Sequence, residues 1–319
     1  MTQITALDGS ALSPLCFGTM QFGGKADEEA SRAMYDACRA AGINFFDTAH
    51  VYTDGASETL LGRFAGPERE RIVIATKANF PGGAGRANIL SSLDDSRRRM
   101  GTDVIDILYL HRWDGETPLE ESFETLARLQ SDGTVRHLAV SNYAAWQVMK
   151  AQAVAAGFGT RIDMIQPMYN LVKRQAEVEI LPMAADQDIA VAPYSPLGGG
   201  LLSGKYADGG SGRLTEDTRY AARYAPDWMH EAARGLSRIA VETGDHPATL
   251  AVAWAAAHPA VTAPIISARD TAQLAPSLAA LDRRLDDDLK ARLDALAPAP
   301  APATDRLEEA GPPEPESKA

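Results

Sequence analysis

The chain is short of cysteine and of positive charge, and it has no signature of a leader or of an open nucleotide-binding sheet. Cys16 and Cys38 are its two cysteines. Both sit in apolar surroundings, outside any cluster with metal-ligand spacing, and read as reduced core thiols rather than a disulfide. Lys and Arg total 31 against 43 Asp and Glu, a formal net charge of -12. That disfavours a nucleic-acid or anionic-membrane surface and fits a soluble, cytoplasmic protein. Residues 1–13 lack the basic-then-apolar pattern of a signal segment. The long uncharged run at 248–268 is alanine-rich and broken by His258, Pro259 and Pro264. It reads as a buried helix followed by a strand, not a membrane span. No Gly-x-Gly-x-x-Gly follows an early strand, and Gly23-Gly24 is too sparse to stand in for it. A doubly wound sheet is therefore the second choice of fold.

What the chain does have is a repeated unit. Short apolar strands begin near Leu15, Ile43, Ile72, Ile107, Leu138, Met164, Ile189 and Pro264, with helical patterns between them. In the first such helix Ala30, Ala33, Met34, Ala37, Cys38 and Ala41 fall on one face, opened by Asp27 and ended by Gly42. Thr117-Pro118-Leu119-Glu120 reads as a capping box with proline at the first helical position. Strands too apolar to expose either face imply parallel pairing under helices, and eight units imply a closed α/β barrel, the (β/α)8 TIM barrel. The expected layout is a single barrel domain over 1–297 with an N-terminal hairpin turning at Asp8-Gly9. A Pro/Ala-rich acidic tail at 298–319 is expected to be disordered.

In such a barrel the residues following the strands converge on one rim, where active sites form. The rim reads Thr19, Asp47, Lys77, His111, Ser141-Asn142, Gln166, Tyr194 and Arg269, with Tyr52 on the loop after the second strand. Singly, Lys77 is a solvated strand end and His111 a structural histidine; together they describe a site. A phenol with an ordinary pKa of about 10 is a poor acid at neutral pH. A neighbouring ammonium favours its ionised form, and a carboxylate holds that ammonium in place. Asp47, Lys77 and Tyr52 thus form an orienter, a tuner and an acid, with His111 donating to the oxygen being protonated. The pocket delivers a proton to a carbonyl oxygen and needs a hydride donor. Ser141, Asn142 and Gln166 suit a carboxamide, Tyr194 a flat ring, and Gly198-Gly199-Gly200 a close-lying pyrophosphate. Arg269 precedes a helix start at Asp270 and suits a phosphate. A nicotinamide dinucleotide fits this set, and the extra phosphate contact favours NADPH (NADP+) over NADH.

Read in order, Phe46-Asp47-Thr48-Ala49-His50-Val51-Tyr52, Gly55-Ala56-Ser57-Glu58, Asp106-Ile107-Leu108-Tyr109-Leu110-His111, Val140-Ser141-Asn142-Tyr143, Gln166-Pro167-Met168-Tyr169-Asn170 and Tyr194-Ser195-Pro196-Leu197 resemble the motifs of the aldo-keto reductase family. The resemblance covers about residues 4–282. It implies Tyr52 as proton donor with Asp47, Lys77 and His111, and reduction of an aldehyde or ketone. It adds Ser195, Leu197, Lys205, Arg213 and Gln273 to the cofactor contacts, which also include Thr19, Asp47 and Ser267. Ser267 stands where the family commonly has glycine, and Pro276-Ser277 replaces a usual Glu-Asn pair. A small-molecule carbonyl substrate is the expected partner, with no nucleic acid and no membrane; oligomeric state leaves no mark in the sequence. Metal ligation by Asp47, His50 and His111 is a competing reading without supporting spacing. A nucleotide-binding sensor like the potassium-channel β-subunits, which resemble this family, is the alternative function; those proteins typically lack the counterpart of His111. Arg112 and Trp113 read equally as substrate contacts or as ordinary neighbours, and Arg219 and Arg223 as surface charges.

Overall fold

The computed structural model describes residues 4–206 and 210–306. Eight parallel strands follow one another around a barrel: β1 (Cys16–Gly18), β2 (Phe45–Asp47), β3 (Val73–Ala78), β4 (Ile105–Leu110), β5 (Val135–Ser141), β6 (Met164–Gln166), β7 (Ala190–Val191) and β8 (Ile265–Ile266). Hydrogen-bonded neighbours run β7-β6-β5-β4-β3-β2-β1-β8. The seam between β7 and β8 is closed by a parallel bridge from Tyr194 to Ile265. Across it the Thr262 amide also donates to the Val191 carbonyl at 2.8 Å and the Ile265 amide to the Pro193 carbonyl at 2.9 Å.

Helices follow the strands: α1 (Glu28–Ala40), α2 (Ala56–Ala65), α3 (Arg86–Met100), α4 (Leu119–Ser131), α5 (Ala145–Gly157) and α6 (Ile180–Asp186). Between β7 and β8 lie α7 (Arg213–Glu216), α8 (Thr218–Arg223), α9 (Asp227–Thr243) and α10 (Pro247–Ala256). Then come α11 (Thr271–Leu278) and α12 (Asp287–Asp294). Asp27 caps α1 by accepting from the Ala30 amide. The capping box expected at Thr117 does not form. Pro118 is the N-cap of α4, and the Thr117 hydroxyl donates instead to Asp114, 2.7 Å away. Asp114 holds Thr117 in the preceding loop, and the helix begins one residue later than the pattern places it. Pro276 sits inside α11 without ending it, and its carbonyl accepts from Thr249 Oγ1 at 2.7 Å.

Two apolar layers result. One lies between strands and helices and contains Phe17, Phe46, Ile74, Leu108, Leu138 and Ile165. The other fills the barrel with Cys16, Phe45, Val73, Ala75, Ile107, Tyr109, Ala139, Met164, Ala192 and Ile265. Alternate residues of each strand therefore face inward, as the period-two geometry of a strand requires. The hairpin around Asp8-Gly9, with Thr5 bridged to Ala11, packs Ile4 and Ala6 into the inner layer at the base. The expectation of a disordered tail falls largely on residues 307–319, which lie outside the described residues.

Candidate active site

Strand parity decides which polar side chains enter the mouth. Phe45 and Asp47 share a face, as do Val73, Ala75 and Lys77; Asp47 is in register with Ala75 and Lys77 with Tyr109. His111 stands two residues beyond Tyr109. Ser141 and Gln166 pair directly across β5 and β6, one step above Ala139 and Met164. The top polar layer thus continues the inner apolar one.

Lys77 is fully buried, with Nζ 2.5 Å from Asp47 Oδ1, 2.7 Å from the Thr48 carbonyl and 3.4 Å from Tyr52 Oη. The other carboxylate oxygen of Asp47 accepts from Gln166 Nε2 at 2.8 Å. Burial alone would push the Lys77 ammonium down; the charges and hydrogen bonds of Asp47 and Tyr52 outweigh it and raise its pKa. Burial also pushes the Tyr52 phenol up, against the pull of Lys77 and with the help of Asp47. The expected lowering of this phenol is therefore present as an influence but exceeded by desolvation. His111 meets Tyr52 edge to face at 6.0 Å and Phe80 at 5.9 Å. Burial first, then Lys77 and Arg112, lower its pKa to about 3. Its Nδ1 is buried without a hydrogen-bond partner.

The loop that carries Tyr52 is propped from below. Arg99 Nη1, from α3, donates to the His50 carbonyl at 2.8 Å and to Glu58 at 2.9 Å, and Glu58 accepts from Thr76 at 2.6 Å. Thr53 and Asp54 take left-handed backbone (φ 48° and 53°), a strain that a well-braced loop sustains. Sequence reasoning did not identify Arg99; nothing local ties a residue 47 positions downstream of Tyr52 to that loop.

A cleft of about 770 Å³ opens over this layer. Asp47, Tyr52, His111, Ser141, Asn142, Gln166, Tyr194, Ser195, Leu197, Lys205, Arg213, Ser267, Arg269 and Gln273 all line it. Thr19 does not. It shares the outward parity of Phe17, and its hydroxyl bonds Ser57 at 2.8 Å and the Asp47 carbonyl at 3.1 Å. Its hydroxyl is engaged within the protein, behind the wall of the cleft. Lys77 also stays behind the lining, shielded by its partners. Arg223, expected at the surface, lines the cleft with Tyr220 and His246.

Asn142, beside His111, and Ser195, on the wall of the cleft, both have positive φ (59° and 61°). Asn142 Nδ2 donates to the His111 carbonyl at 3.0 Å, and Tyr194 Oη donates to Asn142 Oδ1 at 2.8 Å. At the far end, Gly199 and Gly200 also have positive φ. A Cβ there would lie 2.7 Å from the Tyr220 ring and 2.9 Å from Lys205 Cε. Among the described residues no carboxylate pairs with Lys205, Arg213 or Arg269, and the buried Ser267 hydroxyl has no partner. Asp270 caps α11 through the Gln273 amide at 2.8 Å. Lys25 reaches across the cleft to Glu216 at 2.6 Å. Among the described residues no group of three or more His, Cys, Asp or Glu is placed to hold a metal ion; His50 turns to Asp95 at 3.4 Å.

Comparison with known proteins agrees with this layout. An oxidoreductase of Bacillus subtilis, YrpG, uncharacterised, is 34% identical over 93% of this chain and 95% of its own. A probable voltage-gated potassium channel subunit beta of Oryza sativa is 34% identical over 86% of this chain and 89% of its own. Aflatoxin B1 aldehyde reductase member 2 of Rattus norvegicus is 36% identical over 63% of this chain and 57% of its own. With the family model matching residues 14–298 on a barrel whose mouth carries the motifs' polar residues, the chain belongs to the aldo/keto reductase family.

Proposed function

We propose that this protein is an NADPH-dependent reductase of aldehydes or ketones, with Tyr52 as general acid. The observation that carries the proposal is the buried run Asp47–Lys77–Tyr52, ending in a phenol beside His111 on the wall of the cleft. A raised phenol pKa keeps Tyr52 protonated until a carbonyl oxygen arrives. As its proton leaves, the developing phenolate faces the Lys77 ammonium, and Asp47 keeps that ammonium charged and in place. His111, neutral because its pKa is so low, serves as a hydrogen-bond donor to the same oxygen and not as a proton store. General acid catalysis of this kind contributes about 10²–10⁴-fold.

The residues fit a nicotinamide dinucleotide. Ser141, Asn142 and Gln166 offer short polar groups for a carboxamide and Tyr194 a ring face. Gly199 and Gly200 leave room that a Cβ would fill. Lys205, Arg213 and Arg269, with the lone Ser267 hydroxyl, suit phosphates. NADPH, when bound, supplies the hydride to the carbonyl carbon. Arg269 beside the start of α11 favours NADPH over NADH.

The test is steady-state consumption of NADPH with a panel of reactive aldehydes and ketones. Turnover abolished by Tyr52→Phe supports the enzyme. The channel-subunit relatives favour a second reading, a nucleotide-binding sensor; tight NADPH binding with no turnover of any carbonyl would select it. Among the described residues no helix is long and apolar enough to cross a membrane, so such a sensor would act through a partner.

A further inference from the structure

His111 is the first residue past β4. Its backbone is held from both sides by the first residues past the neighbouring strands, Asn79 after β3 and Asn142 after β5. Asn79 Oδ1 accepts from the His111 amide at 2.5 Å, and the Ala78 carbonyl shares that amide at 3.1 Å. Asn79 Nδ2 donates to the Arg112 carbonyl at 2.8 Å. On the other side Asn142 Nδ2 donates to the His111 carbonyl at 3.0 Å. Side chains thus take over the backbone of residues 111 and 112 where the strand ladder runs out. Asn142 lines the cleft; Asn79 does not, and the reading above gives it no role.

Two properties of Asn79 suit it to this place. Its backbone is left-handed, with φ 67°, a region that asparagine enters more readily than most residues with a Cβ. Its side chain is buried, at 2% exposure, between an amide hydrogen and a carbonyl oxygen, and a carboxamide offers both an acceptor and a donor at that length. The next residue, Phe80, meets the His111 ring edge to face at 5.9 Å and carries the Arg112 guanidinium 4.2 Å over its own face. Residues 79 and 80 therefore fix both the backbone of His111 and one side of its ring. The ring depends on that hold. A working histidine is commonly oriented by a hydrogen bond to its second ring nitrogen, and here Nδ1 is buried without a partner.

We propose that Asn79 is a positioning residue of the reaction: by closing the backbone of His111 and Arg112 it holds the imidazole where it donates to the carbonyl oxygen. This rests on the reductase reading and adds a residue to it. The test is a double-mutant cycle on the full chain with Asn79→Gly and His111→Ala. Glycine removes the side chain without straining the left-handed backbone. Asn79→Gly should lower kcat by about 10- to 100-fold, the cost of misplacing a catalytic group, while the Kd of NADPH holds steady. In the His111→Ala background, with no ring left to position, the same change should cost little, so the two losses are not additive. An equal loss in both backgrounds would overturn the proposal, because Asn79 would then act on stability or on another group. An unchanged kcat, or a loss carried by weaker NADPH binding, would overturn it as well. Should Asn79→Gly fail to fold, the isosteric Asn79→Asp, which keeps an acceptor for the amide and loses the donor to the Arg112 carbonyl, is read in the same cycle. If no carbonyl is turned over, the reductase reading has failed on its own. The NMR signal of the His111 ring, assigned by its absence from His111→Ala, then decides: a resonance displaced or broadened in Asn79→Gly supports the bracket, and an unchanged one removes it.

Discussion

The mouth and the base of the barrel each contain a buried carboxylate held by cations, and the two are solved differently. At the base, Asp106 accepts from Arg136 at 2.7 Å and from the Ile74 amide at 2.9 Å, and pairs with Arg69 at 2.7 Å. Arg136 also ties the Thr5 carbonyl of the hairpin at 2.7 Å, and Arg69 the Ile72 and Val104 carbonyls. Both arginines keep some contact with water, at 15% and 25% exposure. At the mouth, Asp47 holds a lysine with no exposure at all, and beyond it the bonding becomes incomplete. The contact to Tyr52 is long, His111 Nδ1 and Ser267 Oγ have no partner, and Asn142 and Ser195 sit in strained backbone. A fully satisfied network braces a fold; a network left unfinished over a cleft is where a ligand completes it.

This contrast is open to a direct test. The largest effect expected is on turnover at the mouth: Tyr52→Phe should lower kcat by about 10²–10⁴-fold with an unchanged melting temperature, and Lys77→Met should lower kcat as far while also lowering the melting temperature, because it leaves Asp47 buried without its cation. Near-normal kcat in either would remove the acid assignment. At the base the balance reverses. Asp106→Ala leaves two arginines without their carboxylate and should cost about 2–4 kcal/mol of stability in urea unfolding. The kcat of the protein that stays folded should be unaffected, and a stability loss under about 1 kcal/mol would contradict the bracing role. Arg269→Ala should weaken NADPH by about 10- to 100-fold and NADH far less, read by fluorescence titration; equal losses would refute the phosphate assignment. The smallest effect concerns pH. The folded-state pKa of His111 lies near 3 against 6.5 ordinarily, so between those values the unfolded chain binds a proton that the native one refuses. Stability therefore rises with pH across that window and falls as the pH drops through it. His111→Gln should flatten part of that acid limb in melting temperature; an unchanged slope would mean the histidine is not held neutral.

Much of this was legible in the sequence, for identifiable reasons. Apolar strands at regular spacing give the barrel, because a parallel sheet covered on both faces leaves an unbroken hydrophobic run. The residues after those runs give the mouth. Rim position alone does not give parity: Thr19 stands one residue past Gly18, with its hydroxyl bonded to Ser57. Arg99 was missed because its partners lie on other elements, and Arg223 because nothing local shows that its helix faces the cleft. The capping box at Thr117 was a sound local signal, but Asp114 holds that residue in the loop before the helix.

Alternation along β3 has a further consequence for how this protein can vary. Surface loops that carry no residue of the mouth can gain or lose residues without turning any side chain of the barrel. Val73–Ala78 has no such freedom. Deleting a single residue between Val73 and Thr76 while the base stays in register would turn the ammonium outward into the helix layer and deliver the methyl of Ala78 to the slot beside Asp47. Chemistry here is tied to an even number of steps from the base.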